Sequence, residues 1–158
     1  MNTHQNATRW MLVLLGLLLQ GQAMAFTQTL YLFSEVKGTV LLDGQPVEGV
    51  EVKQEYHWHW KKEKKSSTIT TDEQGRFSFP TVTGKSISAD LPPHEPVIVQ
   101  YLRIRHEGKE YQGWFHAKHN YENLGERKGR PIHLKCELTD EPGPHPDIDS
   151  YGTCTAAE

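Results

Sequence analysis

The chain has 158 residues, 36% of them hydrophobic, and 17 Lys and Arg against 20 Asp and Glu give a formal charge of −3. That length suits one domain able to bury a single core. The acidic balance argues against a nucleic-acid partner, since such proteins carry a basic face and the only basic cluster here is Lys61-Lys62-Glu63-Lys64-Lys65.

Met1 to Ala25 reads as a cleaved secretory signal. Arg9 supplies the positive end, Trp10 to Leu19 the apolar run, and Ala23-Met24-Ala25 the small-residue cleavage site. The apolar run is about half of the ~20 residues a membrane-spanning helix needs, so no stable membrane anchor is expected. Removing 25 of 158 residues leaves 133, and the loss of Arg9 leaves 16 basic side chains against 20 acidic ones. In an oxidising compartment the two cysteines, Cys136 and Cys154, are expected to form a disulfide. Cys136 shares a strand face with Ile132, Leu134 and Leu138, so that bond would tie the C-terminal tail to the last core strand.

Alternating apolar residues and turn signals predict strands near 30–35, 36–42, 48–60, 66–72, 76–80, 83–89, 97–106, 109–117 and 131–138, and almost no helix. Asp43-Gly44, Lys61 to Lys65, Asp72 to Gly75 and Glu107-Gly108 are the clearest hairpin or corner signals. Leu91-Pro92-Pro93-His94-Glu95-Pro96 is too rich in proline for a central strand and is expected to cross irregularly between sheets. Lys118 to Arg130 reads as a charged loop, and Thr139 to Glu158 as an extended, polyproline-like tail ordered mainly by the disulfide. Short strands at this spacing predict an all-β protein built as a single Greek-key β-sandwich over 26–138.

The stretch from Gly38 to Pro80 carries the pattern G-T-V-L-L-D-G-Q-P-V-E-G-V-E-V and, after a hairpin, T-I-T-T-D-E-Q-G-R-F-S-F-P. It resembles the carboxypeptidase regulatory-like (prealbumin or transthyretin-like) β-sandwich family. The resemblance implies a non-catalytic adhesion, binding or scaffold unit, and the shared residues are turn and core residues, so no active site comes with them. Departures begin after Phe79, where Pro80-Thr81-Val82-Thr83-Gly84-Lys85 replaces the family's glycine-rich turn and following tyrosine. The C-terminus also lacks the Tyr-Arg-Gly-Ser ending of hydroxyisourate hydrolases of related fold.

The strand from Val50 to Trp60 is unusually long, which suggests an arm projecting beyond the sandwich and tipped by lysines. Its even positions put Tyr56, Trp58 and Trp60 on one face. Either the indoles are half covered and, beside Lys61, Lys62, Lys64 and Lys65, form a contact surface, or a loop or the N-terminal residues cover them and the lysines merely solubilise a turn. His57 and His59 lie on the opposite face, and His116, His119 and Glu122 make a second cluster. Zinc needs three or four convergent ligands, so these histidines are only weak candidates for a metal and no cofactor is expected.

No nucleophile has a recognisable base, and neither G-x-S-x-G nor H-E-x-x-H occurs. The expected function is therefore a non-enzymatic periplasmic or secreted domain that binds another protein, acidic if the lysines steer it. A sharper form is an immunity protein against a toxin delivered to the periplasm. The alternatives are an envelope or pilus assembly module binding glycan through Tyr56, Trp58, Trp60 and Trp114, and a weak metal carrier using the histidines.

Overall fold

A computed structural model describes residues 28–86 and 95–157. The expected signal segment 1–25, the end of the expected strand 83–89 and most of the 91–96 crossing lie outside the described residues. The chain folds as an all-β sandwich, and among the described residues the only helical element is a single 3-10 turn, Gly125–Arg127.

One sheet has six strands: β4 (Glu51–Trp58), β5 (Glu63–Thr70), β8 (Ile98–His106), β9 (Lys109–Lys118), β11 (Gly143–His145) and β12 (Ser150–Gly152), in the order β11-β12-β9-β8-β4-β5. The facing sheet joins β2 (Val36–Leu42), β3 (Gln45–Pro46), β6 (Arg76–Phe79), β10 (Ile132–Glu137) and β13 (Cys154–Ala156). In it β10 runs parallel to β2. A third ladder, β1 (Gln28–Phe33) with β7 (Val82–Ser86), continues β2 and β6 past the Ser34-Glu35 break, because Phe33 faces Val82 just as Val36 faces Phe79.

The turns form where the sequence places them. Asp43 and Gly44 both adopt positive φ, at 51° and 76°, and their amides donate to the Glu137 carboxylate at 3.0 and 2.8 Å, which ties this hairpin to β10. Glu107 and Gly108 repeat the geometry between β8 and β9. At the corner joining the sheets, Asp72 accepts from the amides of Gln74 and Arg76, and Gly75 turns at φ 69°.

Strand alternation builds the core. Val52, Tyr56 and Trp58 from β4, with Ile98, Leu102 and Ile104 from β8, face Val36, Val40, Phe77, Phe79, Ile132 and Leu134 of the other sheet, all buried. Phe77 lies over Gly38 so closely that a Cβ there would sit 2.4 Å from its ring.

Two expectations are corrected. The β4–β5 hairpin is not a projecting arm: β4 is paired along its whole length with β5 and with β8, and the His59 amide donates to Val97 O beyond Trp58. Its partners are as long as it is, so only the His59–Lys62 turn stands clear. The tail is also more than a tethered polyproline segment. β13 pairs with β10, while β11 and β12 extend the other sheet beside β9, so the tail completes both layers. The Cys136–Cys154 disulfide sits between residues directly opposite in the β10–β13 ladder, with both cysteines buried.

Candidate functional site

The outer face of the six-stranded sheet carries a row of aromatic side chains. Strand alternation that turns Gln100 and Leu102 inward turns Tyr101 outward, and the register sets Tyr101 opposite Phe115 and Phe115 opposite Tyr151. The row thus crosses β8, β9 and β12, spanning about 10 Å at the usual inter-strand spacing. The Tyr101 and Phe115 rings stand 5.4 Å apart at 47°, both partly exposed, and Tyr151 is 42% exposed. A register shift between Leu102 and Arg103 leaves Gly113 unpaired, and the strand then still turns Trp114 into the core and Phe115 out.

Charged groups border the row on its β4 side. Arg103 places its guanidinium 4.9 Å from the centre of the Tyr101 ring, and the His57 ring packs against the same tyrosine at 5.6 Å. Glu55, directly opposite Tyr101 on β4, is buried beneath Lys53, His57 and Lys64, whose nitrogens lie 2.9, 2.9 and 3.2 Å from its oxygens. Burial pushes its carboxyl up, but the hydrogen bonds from Lys53, His57 and Lys64 outweigh this and hold it at about 2.

The lysine-rich turn adjoins this face. Lys61, Lys62, Lys64 and Lys65 are exposed, and Trp60 is 40% exposed. Glu63 accepts from the Tyr56 hydroxyl at 2.5 Å and from Lys65 at 3.1 Å. The Tyr56 hydrogen bond lowers the Glu63 pKa, and burial with the Glu63 contact raises that of Tyr56. A contact surface made of both indoles and Tyr56 is corrected: Trp60 keeps its exposure, but Trp58 and Tyr56 are only 3% and 4% exposed. The N-terminal strand and the 118–130 loop cover Trp58, which packs beside Leu32 and Gly84 and donates from Nε1 to the Tyr121 hydroxyl at 2.9 Å. Trp114 is 1% exposed, so a glycan platform built from Tyr56, Trp58 and Trp114 is also withdrawn.

The histidines do not converge. His57 lies on the outer face, and His116, opposite Gln100, points inward and bonds through Nδ1 to Asp149 O at 2.6 Å. His59 sits exposed in the turn, and His119 pairs with Glu95 at 3.1 Å. Glu122 contributes its main-chain carbonyl to Lys118, not its carboxylate to a ligand set. Among the described residues no three His, Cys, Asp or Glu side chains are grouped to hold a metal ion.

A buried polar network escaped the sequence reading altogether. Lys118 and Glu126 pair at 3.1 Å with both side chains fully withdrawn from solvent. Glu126 also accepts from the Ser34 amide and hydroxyl and from Gln100, while Ser34 Oγ receives the Leu124 amide. Burial pushes the Lys118 amine down and the Glu126 carboxyl up; for Glu126 the charge of Lys118 and the hydrogen bonds from Gln100 and Ser34 prevail and lower it. The network locks the charged loop 118–130 to the break between β1 and β2. The outer aromatic row, by contrast, had a legible signal in part: Val99, Tyr101 and Arg103 are the odd positions of a strand whose even positions are core.

Comparison with known proteins adds one assignment. No curated protein and no solved structure matches the chain. The model of one family matches residues 36–141, from the start of β2 through the start of the tail. The chain belongs to that family, described as a domain of unknown function (DUF6795).

Proposed function

We propose that this is a non-enzymatic binding domain, exported to the periplasm or beyond, that engages another protein through the outer face of its six-stranded sheet and the lysine-rich turn at the sheet's edge. The observation that carries the reading is the Tyr101–Phe115–Tyr151 row. Tyrosine, phenylalanine and arginine are what the centres of protein interfaces favour, and here they sit together on an open face, bordered by cations. The disulfide is consistent with an oxidising compartment. The β2-to-β6 motif further supports kinship with carboxypeptidase regulatory-like sandwiches, whose members mostly serve as binding or scaffold units. Protection against a periplasm-targeted toxin is the sharper form of this reading.

Photo-crosslinking in the producing cells tests it. A crosslinker placed at Tyr101 or Trp60 should capture a protein partner, while one at Lys135, exposed on the opposite sheet, should not. Equal capture at all three positions, or none at any, overturns the reading.

A further inference from the structure

β5 ends the six-stranded sheet and pairs on one side only among the described residues. Its eight residues follow β4 with no register shift, and it contains no proline. All but Glu63 and Ile69 are exposed. The hydrogen-bonding direction follows from two contacts. Thr71 donates to Val50 O, and His59 donates to Val97 O, so even residues of β4 bond toward β5 and odd ones toward β8. The β5 partners of the even residues are Glu63, Lys65, Ser67 and Ile69. Lys64, Ser66, Thr68 and Thr70 therefore turn both amide and carbonyl outward, a ladder of donors and acceptors with no strand beside it among the described residues.

Two clefts flank the strand on its core side. One, of about 690 Å³, is lined by Ile69, Thr71, Phe77 and Leu134 among others. The other, of about 230 Å³, is lined by Gln54, Tyr56, Ser67, Val82 and Thr83 among others. Gln54 is 3% exposed, and its side-chain nitrogen has no partner among the described residues, while its oxygen is 3.4 Å from Ser67 Oγ. Exchanging the amide's two ends still leaves one of them unmatched, so the smaller cleft holds an unanswered polar group. At the same end four lysines, Lys61, Lys62, Lys64 and Lys65, meet two acids: Glu63, already engaged by Tyr56 and Lys65, and Glu55, which holds Lys64 at 3.2 Å and is shared with Lys53 and His57.

We propose that the partner binds by adding a strand to β5: an extended segment of another protein, acidic where it passes Lys61–Lys65, with alternate side chains entering the two clefts. This rests on reading the domain as a protein-binding module. Main-chain hydrogen bonds along the edge give the affinity, the clefts select alternate side chains, and the lysines select charge. Lysines on a bare edge also discourage self-pairing between copies, which leaves an acidic strand as the favoured occupant.

The probe is a synthetic peptide of alternating glutamate and valine, with a copy N-methylated at alternate amides as control. In the free full-length protein the amides of Lys64, Ser66, Thr68 and Thr70 should exchange rapidly, and the peptide should protect them. Affinity should fall with added salt and drop roughly tenfold or more for the methylated peptide and for Thr68→Pro, a change that removes an outward amide and no ladder bond to β4. Ser66→Pro gives a second edge variant should the first perturb the fold. Amides already protected in the free protein would mean that the edge is covered by residues 87–94 or by a second copy, and would overturn the proposal. So would peptide binding unaffected by Thr68→Pro and Ser66→Pro, or no binding at all. If crosslinking captures a partner at Tyr101 while β5 stays unprotected, the binding reading stands and strand addition alone fails.

Discussion

Lys118 and Glu126 form an ion pair inside the sandwich, 3.1 Å apart, that fastens the 118–130 loop beneath β1. Removing one partner strands the other charge without water. Glu126→Ala should destabilise the fold by about 3–5 kcal/mol in denaturant titration, whereas the paired change Lys118→Met with Glu126→Leu should recover only part of that loss, because Ser34 and Gln100 still lose their acceptor. A single variant as stable as the parent would show that the pair is hydrated.

Cys136 and Cys154 close a loop with a sequence separation of 18. The chain-entropy model assigns such a loop about 3 kcal/mol. Replacing both cysteines by alanine should lower stability by about that amount and first release the tail strands β11 to β13 to hydrogen exchange. Two thiols alkylated in oxidised, folded protein would contradict the bond.

Trp58 and Trp60 are two residues apart yet should behave oppositely. Trp58→Ala empties a buried site and removes the hydrogen bond to Tyr121, for a loss of about 3–5 kcal/mol. Trp60→Ala should change stability by less than about 1 kcal/mol and act instead on partner binding, chiefly by raising the off-rate. Thermal melts of the two variants decide it.

Glu55 predicts an acid dependence. Its folded pKa lies at about 2, below the ordinary carboxylate range, so its stabilisation is complete above that range and is lost as pH falls through the folded value. Between about pH 5 and pH 2 the parent should lose roughly 1–2 kcal/mol more stability than Glu55→Gln, a figure reduced because Lys53 and Lys64 are themselves exposed. Parallel pH profiles for the two proteins would refute this.

All nine strands expected from alternation have counterparts, with ends differing by a few residues, because a half-buried strand repeats every second residue and its turns need residues such as Asp-Gly. The cysteine pairing was equally local in logic, since one pair has only one partner choice. What the sequence could not show was which neighbour each strand would meet. The length of β4 looked like an overhang because nothing in one strand reveals that β8 runs beside it to the end. Trp58 and Trp60 looked alike because alternation places them together, and only the turn at His59–Lys62 and the arrival of Leu32, Gly84 and Tyr121 separate core from surface. The aromatic row and the Lys118–Glu126 pair join residues far apart in the chain, and their energies depend on burial. Local pattern thus determined strands, turns and the disulfide, while the packing of distant segments alone decided which side chains lost their water.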